Sequence, residues 1–213
     1  MALCENTALY KSLRFCQGKT VLPGIRNRVY VIPKRDIVTW PSLPAEASTD
    51  MSEIATYSGS FVLATGKKWA RIDLVTNKGQ ITYEVQGEKP SRTFLNKCTL
   101  THPEGSAAAL GFARQAAADD LVFLIQQRDG KFRVLGCEAF ETDTKPQGDT
   151  GEGVTGESSA ALEIEATDVC PAPYYVGTIE TAEEDDGDIN AGSASPAASE
   201  TVVENGESQG NGN

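Results

Sequence analysis

One histidine, His102, is all that the 213 residues contain. Histidine titrates near neutrality and serves most general acid–base and metal-binding sites. Its scarcity removes most of the usual catalytic constellations. A Cys–His pair needs a thiol beside the imidazole. The nearest in sequence, Cys98, lies about 13 Å away along a strand rising 3.3 Å per residue. No G-x-S-x-G elbow supports a Ser-His-Asp arrangement either. Next to Pro103, at a strand-to-helix junction, His102 reads as a hydrogen-bonding residue.

Cysteine is also sparse. Cys4, Cys16, Cys98, Cys137 and Cys170 are odd in number and include no C-x-x-C. This argues against a disulfide framework and against structural zinc, which wants paired nearby ligands. Long apolar runs are missing. The longest, residues 105–113 and 121–125, fall far short of the roughly 18–20 residues of a membrane helix. Lys11 and Arg14 interrupt the start of the chain, so no secretory signal is expected. The Leu13-Arg14-Phe15-Cys16 spacing is then a coincidental lipoprotein-like match, and no N-x-S/T sequon occurs.

Basic residues are in deficit. Nineteen Lys+Arg face thirty Asp+Glu, for a formal net charge of −11. Eight of the acids lie in residues 181–213, which hold no Lys or Arg, so residues 1–180 carry twenty-two acids against nineteen bases. A dedicated nucleic-acid binder would show the opposite balance. Residues 181–213 also lack aromatics, with Ile189, Val202 and Val203 as their only large aliphatics. They read as a disordered acidic tail on a body of residues 1–180. Lys67, Lys68 and Arg71 around Trp69 form too small a cluster for a nucleic-acid groove, and read as a solvated strand edge with a buried Trp.

Carboxylate chemistry is equally thin. Asp119-Asp120 and Asp185-Asp186 lack the apolar or metal-ligating neighbours that tune a pKa. Asp149, Glu152 and Glu157 sit in a Gly-rich segment without calcium-loop spacing. Gly66-Lys67-Lys68 is not a phosphate loop. The expectation is a protein that is not an enzyme, with no catalytic, cofactor or metal site.

What the sequence has in abundance is a period of two. Ile81, Tyr83 and Val85 alternate with polar residues, as do Leu162, Ile164 and Ala166. Phe61 with Leu63, and Ala70 with Ile72 and Leu74, follow the same rule. Phe94, Cys98 and Leu100 share one parity, interrupted by Asn96. Such alternation marks half-buried strands with one wet face. Residues 28–32, 121–127 and 131–135 read as further strands, the last two joined by an Asp129-Gly130 hairpin. Asn77-Lys78-Gly79 reads as a second tight turn of that kind. One segment departs from the pattern. Residues 106–118 are Ala-rich, with Leu110, Ala113 and Ala117 at helical spacing and Ser106 as N-cap. The expected fold is mainly β: an antiparallel β-sandwich or half-barrel with a single α-helix packed on it.

Residues 41–58 and 145–159 read as long loops, which in compact domains are functional or disordered more often than not. Trp40, Leu43, Met51, Ile54 and Tyr57, in and beside the first loop, are its candidates for self-assembly contacts.

Several segments in order carry a resemblance. They are Gly24-Ile25-Arg26-Asn27-Arg28-Val29-Tyr30, Lys67-Lys68-Trp69, Gln86-Gly87-Glu88-Lys89 and Phe94-Leu95-Asn96-Lys97. His102-Pro103, Gly111-Phe112-Ala113-Arg114 and Pro171-Ala172-Pro173-Tyr174-Tyr175-Val176-Gly177-Thr178-Ile179 complete the series. Across residues 24–179 the chain resembles the major tail tube proteins of long-tailed bacteriophages, in the form found with Bacteroidetes hosts. No single segment is a specific motif; the order and spacing carry the likeness. Residues 41–58 and the acidic tail have no counterpart in it.

The resemblance implies a virion structural protein, made in the host cytoplasm, that self-assembles into hexameric rings stacked as a tail tube. Its partners would be further copies of itself, the tape measure and tail terminator proteins, and DNA passing through without specific contacts. No membrane is involved, and residues 1–20 would be an extended arm. A head–tail connector, a capsid decoration protein and a monomeric β-rich binding module are the alternatives.

Overall fold

A computed structural model describes residues 12–44, 50–153, 158–183 and 187–193. Strands β1 (Ile25–Pro33), β2 (Ile37–Thr39), β3 (Thr56–Tyr57), β4 (Val62–Leu63), β5 (Ala70–Asp73), β6 (Gly79–Gln86) and β7 (Thr93–His102) precede helix α1 (Ala107–Ala116). Strands β8 (Leu121–Gln127), β9 (Phe132–Leu135), β10 (Thr142–Asp149), β11 (Ser159–Asp168), β12 (Tyr174–Tyr175), β13 (Thr178–Ile179) and β14 (Ile189–Asn190) follow it.

The strands form a six-stranded sheet ordered β3-β12-β9-β8-β1-β5, a four-stranded sheet ordered β10-β11-β7-β6, and two small pairs, β2-β4 and β13-β14. Every pairing between strands is antiparallel except β3 with β12. The fold is thus mainly β with one α-helix among the described residues.

The run Leu121-Val122-Phe123-Leu124-Ile125 explains the layering. Its side chains alternate between two faces, and all five are buried. Leu121, Phe123 and Ile125 join Val29, Val31 and Leu135 against Cys98, Leu100, Leu162 and Ile164 of the four-stranded sheet. Val122 and Leu124 turn the other way, into a second core with Tyr30, Ile32, Phe132 and Val134. The six-stranded sheet therefore has no wet face at its centre. Continuous apolar runs are what such strands require, and the expectation of one wet face holds only for the four-stranded sheet.

The second core has no large sheet to close it; the β2-β4 and β13-β14 pairs contribute Ile37, Leu63, Ile179 and Ile189. Trp40, Leu43, Tyr57, Phe61, Trp69, Tyr175 and Ile179 cover it instead. Phe61 is the hub: its ring centroid lies 5.1–5.4 Å from those of Tyr175, Trp40 and Trp69, within the range of favourable aromatic pairs.

Helix α1 starts as its sequence indicates. The Ser106 side chain accepts a hydrogen bond from the Ala109 N–H at 3.3 Å, satisfying one of the donors a helix start leaves over. The Asp129-Gly130 turn also forms between β8 and β9, with Gly130 at φ +91° and the Asp129 carboxylate accepting from the Lys131 N–H.

Three expectations are corrected. Asn77-Lys78-Gly79 does not close a hairpin: β5 and β6 belong to different sheets, and the turn carries the chain between layers. Residues 145–149 are not loop but the second half of β10, paired with β11 through Asp149↔Ser159. Backbone pairing suffices there, although Gly148 and Pro146 weaken strand propensity.

Third, the body does not end at 180. Thr181 is buried and bridges Trp69, Ile179 pairs with Ile189, and Ala191 enters the second core. The Thr181 hydroxyl donates to the carbonyl of Gly187 at 2.6 Å, which holds the return of the chain. Residues 194–213 lie outside the described residues.

Asn96, the polar break in the β7 pattern, is fully buried on the core face. Its amide donates to the Cys170 carbonyl at 3.1 Å, and its oxygen accepts from the Ala172 N–H at 2.9 Å. It fixes the 170–172 turn, where Ala172 sits at φ +34°. Replacing Asn96 with Ala strands both backbone groups. We expect a loss of about 2–6 kcal/mol of unfolding free energy, at about 1–3 per orphaned group. Chemical denaturation checks this, and a loss within measurement error would remove the clamp from the account.

Candidate assembly interface

The four-stranded sheet presents a polar face away from the core. Cross-strand register places Gln80, Thr82 and Glu84 of β6, Lys97 and Thr99 of β7, Glu163 and Glu165 of β11, and Asp143, Lys145, Gln147 and Asp149 of β10 on it. Five carboxylates share this face with two lysines. The charges alternate across all four strands. Lys97 Nζ lies 2.7 Å from Glu84 and 4.0 Å from Glu165, and Lys145 Nζ lies 2.7 Å from Glu165 and 3.2 Å from Asp143. Hydrogen bonds to Glu84 and to Glu165 hold the two ammonium groups above the ordinary lysine range. Exposed pairs of this kind add little stability; they order the surface and leave it net negative.

Both outer strands of this sheet are unpaired along their outer edges among the described residues. They are eight residues each and antiparallel to their inner neighbours, so β6 and β10 run in opposite directions. The β10 edge carries Lys145 and Pro146, devices that discourage uncontrolled pairing. The β6 edge has neither a lysine nor a proline between Gly79 and Gln86.

Sequence alternation puts Ile81, Tyr83 and Val85 toward the core, yet the six-stranded sheet does not reach the outer end of β6. Tyr83 and Val85 stay 57% and 55% exposed. The Phe94 ring meets the Tyr83 ring edge-on at 6.5 Å.

The five loop candidates fall elsewhere. Tyr57 is buried, and Trp40 and Leu43 pack against the second core. Met51 and Ile54 are half-buried. At least Trp40, Leu43 and Tyr57 serve the fold itself, and the structure does not bring the five together with the open β6 edge. That edge was missed because alternation reports which face a strand buries, not whether the opposing sheet extends far enough to cover it.

The remaining polar candidates have structural partners. His102 Nδ1 lies 2.8 Å from the Asp73 carbonyl, a hydrogen bond tying β7 to the end of β5. Asp119 pairs with Arg35 at 2.6 Å. Asp120 lies 3.3 Å from Lys34 and accepts from the Thr142 N–H. Trp69 is buried between Phe61 and the 180–182 segment, so it has no face for a base. Cys98 is sealed in the first core, and burial pushes its thiol up. No group of His, Cys, Asp and Glu among the described residues is arranged to hold a metal ion.

No protein-family model, no curated protein and no solved structure matches the chain.

One titratable group is out of keeping with its surroundings. Asp168 ends the core face of β11 and is buried. Its Oδ1 accepts from the Val169 N–H at 2.6 Å, while Oδ2 has no partner. Burial pushes its pKa up to about 6, against the opposing pull of the Val169 and Cys170 N–H groups. The same burial, with Asp168 nearby, raises Cys170 to about 11.

A folded-state pKa above the unfolded value near 3.8 means that the folded chain binds the extra proton. Stability from this group is complete below about pH 4 and is lost as pH rises through 6. Asp168→Asn keeps the Oδ1 acceptor without the charge. It is expected to match the parent below pH 4 and to exceed it by about 1–3 kcal/mol at pH 7–8. Thermal midpoints across pH test this, and parallel curves for parent and variant would overturn it.

Proposed function

We propose that this chain is a virion structural protein whose copies join edge to edge into rings, stacked as a phage tail tube through which DNA passes. The observation that carries the reading is the four-stranded antiparallel sheet, open at both edges, with an acid-rich outer face. An even number of strands makes its outer strands antiparallel. A head-to-tail neighbour that sets β6 beside β10 therefore continues the ladder without reversal. The arrangement is heterologous, and it closes into a ring when the rotation between copies allows. Pairing also removes the unprotected β6 edge, a liability in a free chain.

In such a ring the polar face of each copy forms one continuous wall. Five carboxylates against two lysines per copy repel phosphate, so nucleic acid slides instead of adhering. The sequence resemblance to tail tube proteins supports the same reading. It brings the tape measure and tail terminator proteins as partners, and the virion as location. The residues that carry the assembly are then those of the β6 and β10 edges.

Negative-stain microscopy of the concentrated protein, alone and with its tape measure, is expected to show tubes. Tyr83→Lys with Val85→Lys, at two sites already more than half exposed, should leave the thermal midpoint unchanged and abolish the tubes. Tubes from the double variant would overturn the role of β6. Monodisperse parent protein under both conditions would overturn the function. Closed rings that never stack would favour a head–tail connector.

A further inference from the structure

Basic residues converge at one end of the two packed sheets. A cavity of about 570 Å³ opens between the start of β1 and the Asn77-Lys78-Gly79 turn. Arg26, Lys78 and Arg128 line it, and the lining residues include no Asp or Glu. Three cations without a carboxylate are out of keeping with a body in which acids outnumber bases. On the polar face, by contrast, Lys97 and Lys145 each sit among carboxylates.

Hydrogen bonds fix the shape of this cleft. Asn77 takes φ +65°, and its Oδ1 accepts from the Arg128 guanidinium. Arg128 Nε also donates to the Ile25 carbonyl at 3.4 Å. Arg26 donates to the Gln126 side chain at 3.5 Å. These acceptors are neutral, so they hold the two guanidinium groups in place without cancelling their charge. Like charges gathered in a partly buried cleft favour an anion.

A stretch of matching chemistry lies in the same chain. Residues 194–213 hold Glu200, Glu204 and Glu207 and no Lys or Arg. The chain sets out toward them from a nearby point. The Ala191 N–H donates to the Gly177 carbonyl at 3.0 Å, and Gly192 lines a second cavity with Tyr174, Asp129 and Lys131. Asp129 and Lys131 belong to the same β8–β9 turn that Arg128 begins. The strand order β12-β9-β8-β1 and its register put the two cavities at one end of the sheet, three strand spacings apart. That is about 14–15 Å. Glu200 follows Ser193 by seven residues, a reach of up to about 23–25 Å when extended. Tethering at this range gives the glutamates an effective concentration on the order of millimolar, with which a free anion must compete.

We propose that the 200–207 segment binds the basic cleft of its own chain, with its glutamates against Arg26, Lys78 and Arg128. The contact lies within one copy, so it stands apart from the ring reading. It closes the cleft to weak anions and leaves it open to a denser polyanion that displaces the glutamates.

Two measurements on the full chain test this. In the first, phenylglyoxal modifies arginines, and the rates at Arg26 and Arg128 are read by mass spectrometry against exposed Arg14. Glu200→Gln, Glu204→Gln and Glu207→Gln together are expected to raise both rates by about tenfold, the effect of removing a charge-assisted pair. The Arg14 rate should not change. In the second, a water-soluble carbodiimide couples Lys78 to neighbouring carboxylates in a mixture of isotopically heavy and light copies. Links from Lys78 to residues 200–207 of the same copy are expected, with the Lys97–Glu84 link as positive control. Equal arginine rates in parent and triple variant would overturn the proposal. So would Lys78 links that run only between copies, or only to carboxylates outside residues 200–207.

Discussion

The structure depends on a sheet that must be buried on both faces. Leu121 to Ile125 offer no polar side chain to either side, so β8 is stable only with apolar cover above and below. One cover is the four-stranded sheet. The other is assembled from pieces distant in sequence: Trp40 and Leu43, Tyr57 and Phe61, Trp69, and Tyr175, Ile179, Ile189 and Ala191. With one face of the four-stranded sheet committed to this core, its opposite face and both outer edges remain. The polar wall and open edges that suggest assembly therefore follow from how the central sheet is satisfied.

The same constraint explains the polar groups in the interior. Asn96 and Asp168 share the core-facing side of their strands with apolar neighbours. Asn96 finds two backbone partners and fixes the turn that brings Pro173 and β12 under β9. Asp168 finds partners for one oxygen only. One polar residue gives specificity through complete hydrogen bonding. The other carries a desolvation cost that its backbone N–H contacts only partly offset, and burial pushes its pKa up.

Much of the architecture is legible in residue order. The alternation of β7 and β11, the Asp129-Gly130 turn and the Ser106 cap act over a few residues, and local chemistry decides them. The errors arise where local chemistry is silent. Asn77-Lys78-Gly79 has the composition of a hairpin turn, yet which sheet receives the next strand is set by long-range pairing. The 41–58 segment has the composition of a loop, but Leu43 and Tyr57 pack into a core that no large sheet closes. Residues 187–193 lie in an acidic stretch poor in large apolar groups, and still Ala191 joins the second core and Ile189 packs against it.

The sequence by itself determined the β class, the one helix among the described residues and the acidic balance, because each is a property of residue types and short-range spacing. Tertiary structure alone decided which strands lie at the edges, which apolar faces go uncovered and which segments close the second core. Alternation states that a strand has an apolar face. It does not state how far the opposing layer reaches, and that reach is what leaves Tyr83 and Val85 at the surface.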